Sequence, residues 1–239
     1  LAPVPETPPK PVQRVRLRYR KIGPARFIGM RELGTTFFRA ARRAGIALAF
    51  SQGHHPLPRL SFGPALPLGF SSEDEWVDVE LAAPLEPADL AARLARELPE
   101  GLEPVVAFDV ARSAPSIDAT IAGYVYTVDA GTLDAPPAPG TIAAAVARFV
   151  GAATFPLLTR TKSGERTLDA RALVEALDAD ASGRVTCAVP AGRGASVRPH
   201  VLVGTLLGLP PDVWPLLRVH KVATRFVDAG GESAVAVPA

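Results

Sequence analysis

The chain has 239 residues, 48% of them hydrophobic, which is enough for one large or two small domains of roughly 100 residues each with a buried core. Its formal net charge of +2 excludes a purely basic tail that binds nucleic acid by charge alone. Its single cysteine, Cys187, excludes a disulfide within the chain and a three-cysteine iron–sulfur cluster site.

The first half of the chain is predicted to contain two helices and four strands. Val15, Leu17 and Tyr19 alternate with arginines, which is the period-two pattern of a half-buried strand. Apolar residues at helical spacing predict amphipathic helices over residues 31–44 and 87–98. Three further strands are predicted over residues 60–68, 77–81 and 105–110. The resulting order, β-α-β-β-α-β, is the ferredoxin-like pattern.

A weaker copy of this order is predicted in the second half. It consists of strands over residues 124–128, 155–161, 184–189 and 217–227, helices over 141–150 and 199–207, and an inserted helix or turn over 168–177. We therefore expect an α+β protein of two tandem ferredoxin-like halves with antiparallel sheets. The predicted division is a disordered Pro-rich N-terminus over 1–12, a first half over 13–112, a linker over 113–123, a second half over 124–228 and a frayed tail over 229–239.

The sequence predicts a cytoplasmic protein. No apolar run reaches the roughly 18 residues that a membrane-spanning helix needs. The Pro-rich start lacks the apolar core of a signal peptide, and a lone cysteine fits a reducing compartment. We expect no membrane contact and no cofactor.

Charged residues are segregated along the chain. Residues 10–59 hold 12 basic residues against one acid, whereas residues 73–134 hold 14 acids against three bases. Either the basic block forms a positive face for an anionic partner, or the two blocks pair within the fold. In a ferredoxin-like sheet the first and third strands are antiparallel neighbours. The arginines of residues 14–20 would then share a face with Asp78 and Glu80 and be partly neutralised.

Short matches between Lys21 and Leu81 resemble the radical SAM-linked protein family. They include Lys21-Ile22-Gly23, the arginine-rich stretch Arg39 to Gly45, and Pro67-Leu68-Gly69. The loop between these stretches adds Ser51, Gln52, Gly53, Pro56, Pro58, Ser61 and Phe62. The resemblance implies a bacterial domain of unknown function, found alone or joined to the C-terminus of cobalamin-binding radical SAM proteins. It therefore implies a radical SAM protein as partner.

Two groups of arginines are candidate phosphate contacts for an RNA. Arg39, Arg42, Arg43 and Arg59 lie in and after the first predicted helix. Arg193 and Arg198 flank a Gly-rich stretch before the helix that begins at Pro199, where backbone N–H groups would receive a phosphate. The spacing of this stretch is not that of a known phosphate-binding loop.

His54 and His55 are the weak catalytic candidates. A histidine serves as acid or base near neutral pH, but it needs a nucleophile and an orienting partner, and the sequence names neither. The two histidine positions of the resembled family are Met30 and Leu57 here. The histidines are too few for a convincing metal site, so no metal is expected.

Three functions stay open on this sequence. The first is a non-catalytic accessory module that binds RNA or presents a substrate to a radical SAM protein. The second is an RNA-processing endoribonuclease, since tandem ferredoxin-like halves are similar to those of CRISPR repeat-processing enzymes. The third is a protein–protein adaptor.

Overall fold

A computed structural model describes residues 10–161, 164–192, 196–227 and 233–235 of the chain. The chain divides into two compact units, Leu1–Thr120 and Ile121–Ala239. In the described ranges, both units combine α-helices with mostly antiparallel strands, and six α-helices are present in all. The expected α+β class is therefore confirmed.

Over residues 10–120, the first unit contains four strands, three α-helices and a short 3-10 helix. Its strands follow the spatial order β4-β1-β3-β2, and each neighbouring pair is antiparallel. The elements are β1 (Gln13–Lys21), a 3-10 helix (Gly23–Phe27), α1 (Met30–Arg43), β2 (Leu60–Phe62), β3 (Ser71–Leu81), α2 (Pro87–Glu97), β4 (Leu102–Asp109) and α3 (Ile117–Thr120).

The helix-facing side of the first sheet forms the core of this unit. Val15, Leu17 and Tyr19 of β1 are at most 1% exposed, as their alternation predicts. Phe37 of α1 packs against Tyr19 with 5.1 Å between the ring centroids, and Leu90 of α2 joins the same cluster. Removing this apolar surface from water is the main stabilising contribution. Burial of one side of α1 leaves the opposite side of that helix facing solvent.

The other side of the first sheet carries the arginines of β1. Asp78 of β3 is buried and accepts hydrogen bonds from both Arg14 and Arg16, with 2.8 Å between Arg16 Nε and Asp78 Oδ1. Both guanidinium groups also donate to the carbonyl of Pro115, at 3.3 and 3.0 Å. The expected partial neutralisation of β1 arginines is confirmed for Asp78, whereas Glu80 pairs with Arg59 instead. Arg14 and Arg16 are therefore part of the structure of the sheet.

The second unit contains a main sheet and a separate hairpin. The main sheet has the order β10-β5-β9-β8, with β11 paired to β10, and β6 pairs only with β7. The elements are β5 (Ile121–Asp129), α4 (Pro139–Gly151), β6 (Pro156–Thr161), β7 (Gly164–Asp169), α5 (Ala170–Leu173), β8 (Ala176–Ala179), β9 (Val185–Pro190), α6 (Pro199–Leu206), a 3-10 helix (Trp214–Leu216), β10 (Arg218–Val227) and β11 (Ser233–Val235).

The second strand of this main sheet differs from the expectation. The strand expected over residues 155–161 is present as β6, but it lies in the separate hairpin. The strand next to β9 is β8, which falls partly within the stretch expected to be an inserted helix or turn. Two adjacent strands pair locally because closing a short loop costs little conformational entropy.

Some predicted features lie outside the described residues. These are residues 1–9 of the predicted N-terminal segment, Arg193, and all of the predicted tail except β11. Within the stretch predicted as a linker, α3 occupies Ile117–Thr120 and β5 begins at Ile121.

Candidate nucleic-acid interface

The solvent-facing side of α1 carries a row of arginines. Arg31, Arg39 and Arg42 are all exposed, with Thr35 between the first two. Spacings of three, four and eight residues keep these side chains on one side of a helix. The row extends over roughly 16 Å at 1.5 Å per residue. We call Arg31, Arg39 and Arg42 the arginine stripe.

The arginine stripe lacks carboxylate partners in the described part of the chain. The described ion pairs of the first unit use other arginines, namely Arg14, Arg16, Arg20, Arg43 and Arg59. An exposed guanidinium without a carboxylate partner keeps its charge and its five donors available to an anion.

Aromatic contacts connect the arginine stripe to the loop that follows α1. The guanidinium of Arg42 lies 5.6 Å from the centroid of the Phe38 ring. Phe38 in turn meets Phe50 edge to face, with 6.0 Å between centroids. Phe50 directly precedes the loop over residues 51–59, so the start of this loop is held against the C-terminal half of α1.

Hydrogen bonds close the base of this loop. Ser51 N donates to Leu57 O at 2.8 Å, and Leu57 N donates to Ser51 Oγ at 3.0 Å. On the side of this pair away from the loop tip, Arg59 N donates to Ala49 O at 2.9 Å, and Phe50 forms a β-bridge with Pro58. The tip extends into solvent, and its exposed residues are Gln52, Gly53, His54 and His55.

Two of the predicted phosphate contacts are engaged in ion pairs. Arg43 Nε lies 2.7 Å from Glu97 Oε2, and Arg59 Nε lies 2.7 Å from Glu80 Oε2. Both arginines remain partly exposed. Exposed ion pairs contribute only about 0–1 kcal/mol, so an incoming phosphate could replace either carboxylate. Neither pair was predictable from the sequence, because the partners are 54 and 21 residues apart.

The remaining candidate arginines belong to the second unit. Arg198 is exposed and occupies the N-cap position of α6. Burial lowers the pKa of His200, and the charge of Arg198 acts in the same direction. Arg193, the other predicted contact, lies outside the described residues, so the Gly-rich phosphate site stays a prediction.

The histidine pair is exposed at the loop tip. In the described part of the chain, neither His54 nor His55 has a hydrogen-bonding or ion-pairing partner that would fix its tautomer and orientation. Among the described residues, no three histidine, cysteine or carboxylate side chains converge there on a common metal position. This part of the chain therefore provides two accessible imidazoles without the orienting group that acid–base catalysis requires.

The remaining residues that carry the family resemblance, in β2 and at the base of the loop, differ in their surroundings. Ser61 is exposed, whereas the ring of Phe62 packs edge to face on Phe37, with 5.4 Å between centroids. Pro56 and Pro58 are half-buried at the base of the loop. The signature thus includes residues that position the loop as well as residues that solvent can reach.

These features describe an α+β protein with exposed arginines on a helix and an adjoining closed loop. A family model described as "Uncharacterized protein conserved in bacteria (DUF2344)" matches residues 14–199, and the chain belongs to this family. That description names no partner, so the link to radical SAM proteins stays a prediction. A comparison with curated proteins gives no match. Within the described residues, no helix has the length and apolarity to cross a membrane.

Proposed function

We propose that this protein is a cytoplasmic, non-catalytic accessory module that binds RNA through the arginine stripe and the adjoining loop, and that it acts with a radical SAM protein. The observation that carries the RNA part is the contrast between two sets of arginines. Arg14 and Arg16 share the buried Asp78 carboxylate on the sheet, whereas Arg39 and Arg42 are exposed and have no carboxylate partner among the described residues. The partner part comes from the resemblance of residues 21–81 to the radical SAM-linked family.

The strand orders support tandem ferredoxin-like halves as the scaffold. In the first unit the order β4-β1-β3-β2 places the first strand between the fourth and the third. In the second unit, β10-β5-β9-β8 repeats this arrangement once the β6–β7 hairpin is treated as an insertion. In both units the two long helices fall after the first and third strands of the main sheet, as the ferredoxin-like pattern requires.

The helix surface is the better candidate for RNA binding because the opposite surface of the first unit's sheet is covered. Small α+β RNA-binding domains often stack bases on exposed aromatic residues of the sheet. Here Trp76, on the sheet surface opposite the helices, is only 4% exposed, and its ring meets Phe108 edge to face. The chain around Ala114 and Pro115 accepts hydrogen bonds from Arg14 on the same side. The arginine stripe is the more accessible basic surface.

The test is filter binding of the full chain to total cellular RNA over a salt series. Arg39→Glu combined with Arg42→Glu should greatly reduce binding at low salt. Neutral replacement of both arginines should lower the slope of log affinity against log salt by roughly 1.4, because each lost phosphate contact contributes about 0.7 for single strands. The matched control is Arg93→Glu with Arg96→Glu, which reverses two exposed arginines on α2.

The outcomes separate the open functions. Salt-sensitive binding that the α1 variant loses and the α2 variant keeps supports the RNA proposal. Absence of binding at low salt contradicts it and favours a protein–protein adaptor, and equal loss in both variants contradicts binding through the arginine stripe. Cleavage of the RNA pool that disappears in a His54→Ala, His55→Ala variant would instead establish the endoribonuclease alternative. Stable co-purification with a radical SAM protein tests the partner part.

A further inference from the structure

Three large apolar side chains are exposed near the N-terminal end of the arginine stripe. Phe27 is 60% exposed, Leu68 is 66% exposed and Met30 is 38% exposed. Phe27 ends the 3-10 helix, and Met30 begins α1. We call these three residues the apolar platform.

Backbone contacts bring the platform together from two parts of the chain. Gly69 N donates to Arg26 O at 3.0 Å, which ties the turn after Leu68 to the end of the 3-10 helix. A Cβ atom at Gly69 would lie 3.9 Å from Phe27 Cε1, and one at Gly29 would lie 4.0 Å from Leu68 Cδ2. Leu68 therefore lies beside the start of α1. Gly29 and Gly69 have no side chains, so they add no atoms to the surface between these apolar groups.

The Phe27 ring is supported by a cation. The Arg26 guanidinium lies 4.7 Å from the ring centroid, which is within the range of a cation–π contact. Tyr19, Phe37 and Trp76 of the first unit are buried, and Phe108 is 36% exposed. Phe27 is the most exposed aromatic side chain in the described part of the chain.

We propose that Phe27 stacks on an unpaired base, so that the ligand of the arginine stripe is single-stranded RNA. This inference rests on the proposed RNA-binding function. Binding of single strands combines cations that follow the backbone with aromatic rings that stack on bases, and every base has a suitable π-face. A duplex presents phosphates but keeps its bases inside, so it would use the arginines and leave Phe27 unused.

The charges around the platform agree with an anionic ligand. Arg26 and Arg31 lie next to Phe27 and Met30 in the sequence, and Arg31 is exposed. The nearest acid in the sequence, Glu32, accepts a hydrogen bond from Gly29 N at 3.0 Å and caps the helix. A phosphate beside the apolar platform would thus meet Arg26 and Arg31, and Arg31 is the first residue of the arginine stripe.

The experiment compares a single-stranded RNA with its duplex. A single strand of about 12 nucleotides, within the usual range of site sizes, carries one fluorescent 2-aminopurine. Native protein should bind the single strand more tightly than the duplex and quench the 2-aminopurine. Phe27→Ala should weaken single-strand binding by about five- to 150-fold, the range for one lost base stack, and leave the salt slope unchanged. Phe27→Trp should retain both binding and quenching.

Two controls separate stacking from general apolar contact and from unfolding. Phe27→Leu keeps an apolar side chain but lacks the ring, so it should lose quenching even if the fold needs bulk at this position. Leu216→Ala removes a side chain of the second unit that is 66% exposed, and it should change neither affinity nor quenching. Melting temperatures of all variants should stay close to that of the native chain.

The failure of this inference is distinguishable from failure of the proposed function. If native protein binds no RNA, the proposed function fails. If it binds RNA with the expected salt slope but Phe27→Ala binds as tightly as native protein, base stacking is wrong and the arginine stripe still binds RNA. Equal affinity for single strand and duplex also overturns the inference, because stacking on Phe27 requires an unpaired base.

Discussion

Removal of the Asp78 carboxylate should destabilise the first unit strongly. This side chain is 2% exposed and accepts hydrogen bonds from two arginine side chains that are 11% and 12% exposed. Asp78→Asn keeps the size of the residue and removes its charge. Arg14 and Arg16 would then be two largely buried cations without a carboxylate.

The magnitude follows from what each arginine retains. Leaving a buried charge without its partner costs about 3–5 kcal/mol. Arg14 still donates to Ala114 O at 2.8 Å, and Arg16 still donates to Pro115 O at 3.0 Å. These carbonyl oxygens and the residual exposure reduce the penalty. We therefore expect a loss near the lower limit, about 3 kcal/mol of unfolding free energy.

Urea unfolding followed by tryptophan fluorescence measures this loss. A Trp214→Phe background leaves Trp76, two residues from Asp78 in β3, as the reporter for the first unit. The control is Glu97→Gln, which breaks the more exposed pair with Arg43 and should cost less than about 1 kcal/mol. If Asp78→Asn loses no more than this control, the carbonyl groups suffice and the two arginines are not held by the carboxylate.

Three further predictions concern buried groups and backbone conformation. Burial raises the pKa of Cys187 to about 12, so its thiol should not react with Ellman's reagent at pH 8 until the chain is unfolded; rapid labelling of native protein would contradict this. Burial, and next the charge of Glu75, raises the pKa of Tyr19 well above 10, so the folded state resists its ionisation. Stability should therefore fall as pH rises above about 10, where the unfolded chain loses this proton, and Tyr19→Phe should show a smaller fall in urea midpoint between pH 9 and 11. Gly101→Ala places a Cβ atom on a backbone carbonyl oxygen at positive φ and should lower the melting temperature much more than Gly45→Ala, which has positive φ but open space and should cost about 1–2 kcal/mol.

Hydrophobic periodicity predicted β1, α1 and α2 of the first unit, but not that β2 ends at Phe62 or that β3 begins at Ser71. The strand at residues 15–19 and the two amphipathic helices follow from side chains that repeat every two or every 3.6 residues. The structure buries those residues, because one side of each element faces the core. The pairing of Asp78 with β1 arginines also followed, since strand neighbours are set once the order of elements is known.

Periodicity was insufficient in the second unit because the strand beside β9 is short. β8 has only four residues, Ala176–Ala179, and its sequence has little preference for extended structure. Its pairing with β9 is imposed by tertiary contacts, whereas β6 has the stronger strand pattern and pairs in the hairpin. Local sequence therefore pointed to the wrong second strand.

The candidate site was only partly predictable for a similar reason. The arginines of α1 could be found from composition, but the ion pair between Arg59 and Glu80 depends on distant strands coming together. The exposure of Phe27 gives no signal in the sequence, because a phenylalanine followed by Ile28 reads equally well as a core residue. Only the three-dimensional position of the 3-10 helix shows that the ring faces solvent.

The closed base of the loop separates substitutions at the loop tip from the pairing of β2 with β3. Hydrogen bonds between Ser51 and Leu57, and between Ala49 and Arg59, fix both ends before the chain enters β2. Substitutions at the tip, over residues 52–55, should leave the register of β2 against β3 intact. On the proposed function, substitutions at the tip would change ligand preference without loss of the fold. Because the hydrogen-bonded base separates it from the sheet, the tip is a suitable place to graft an epitope or attach a fluorophore.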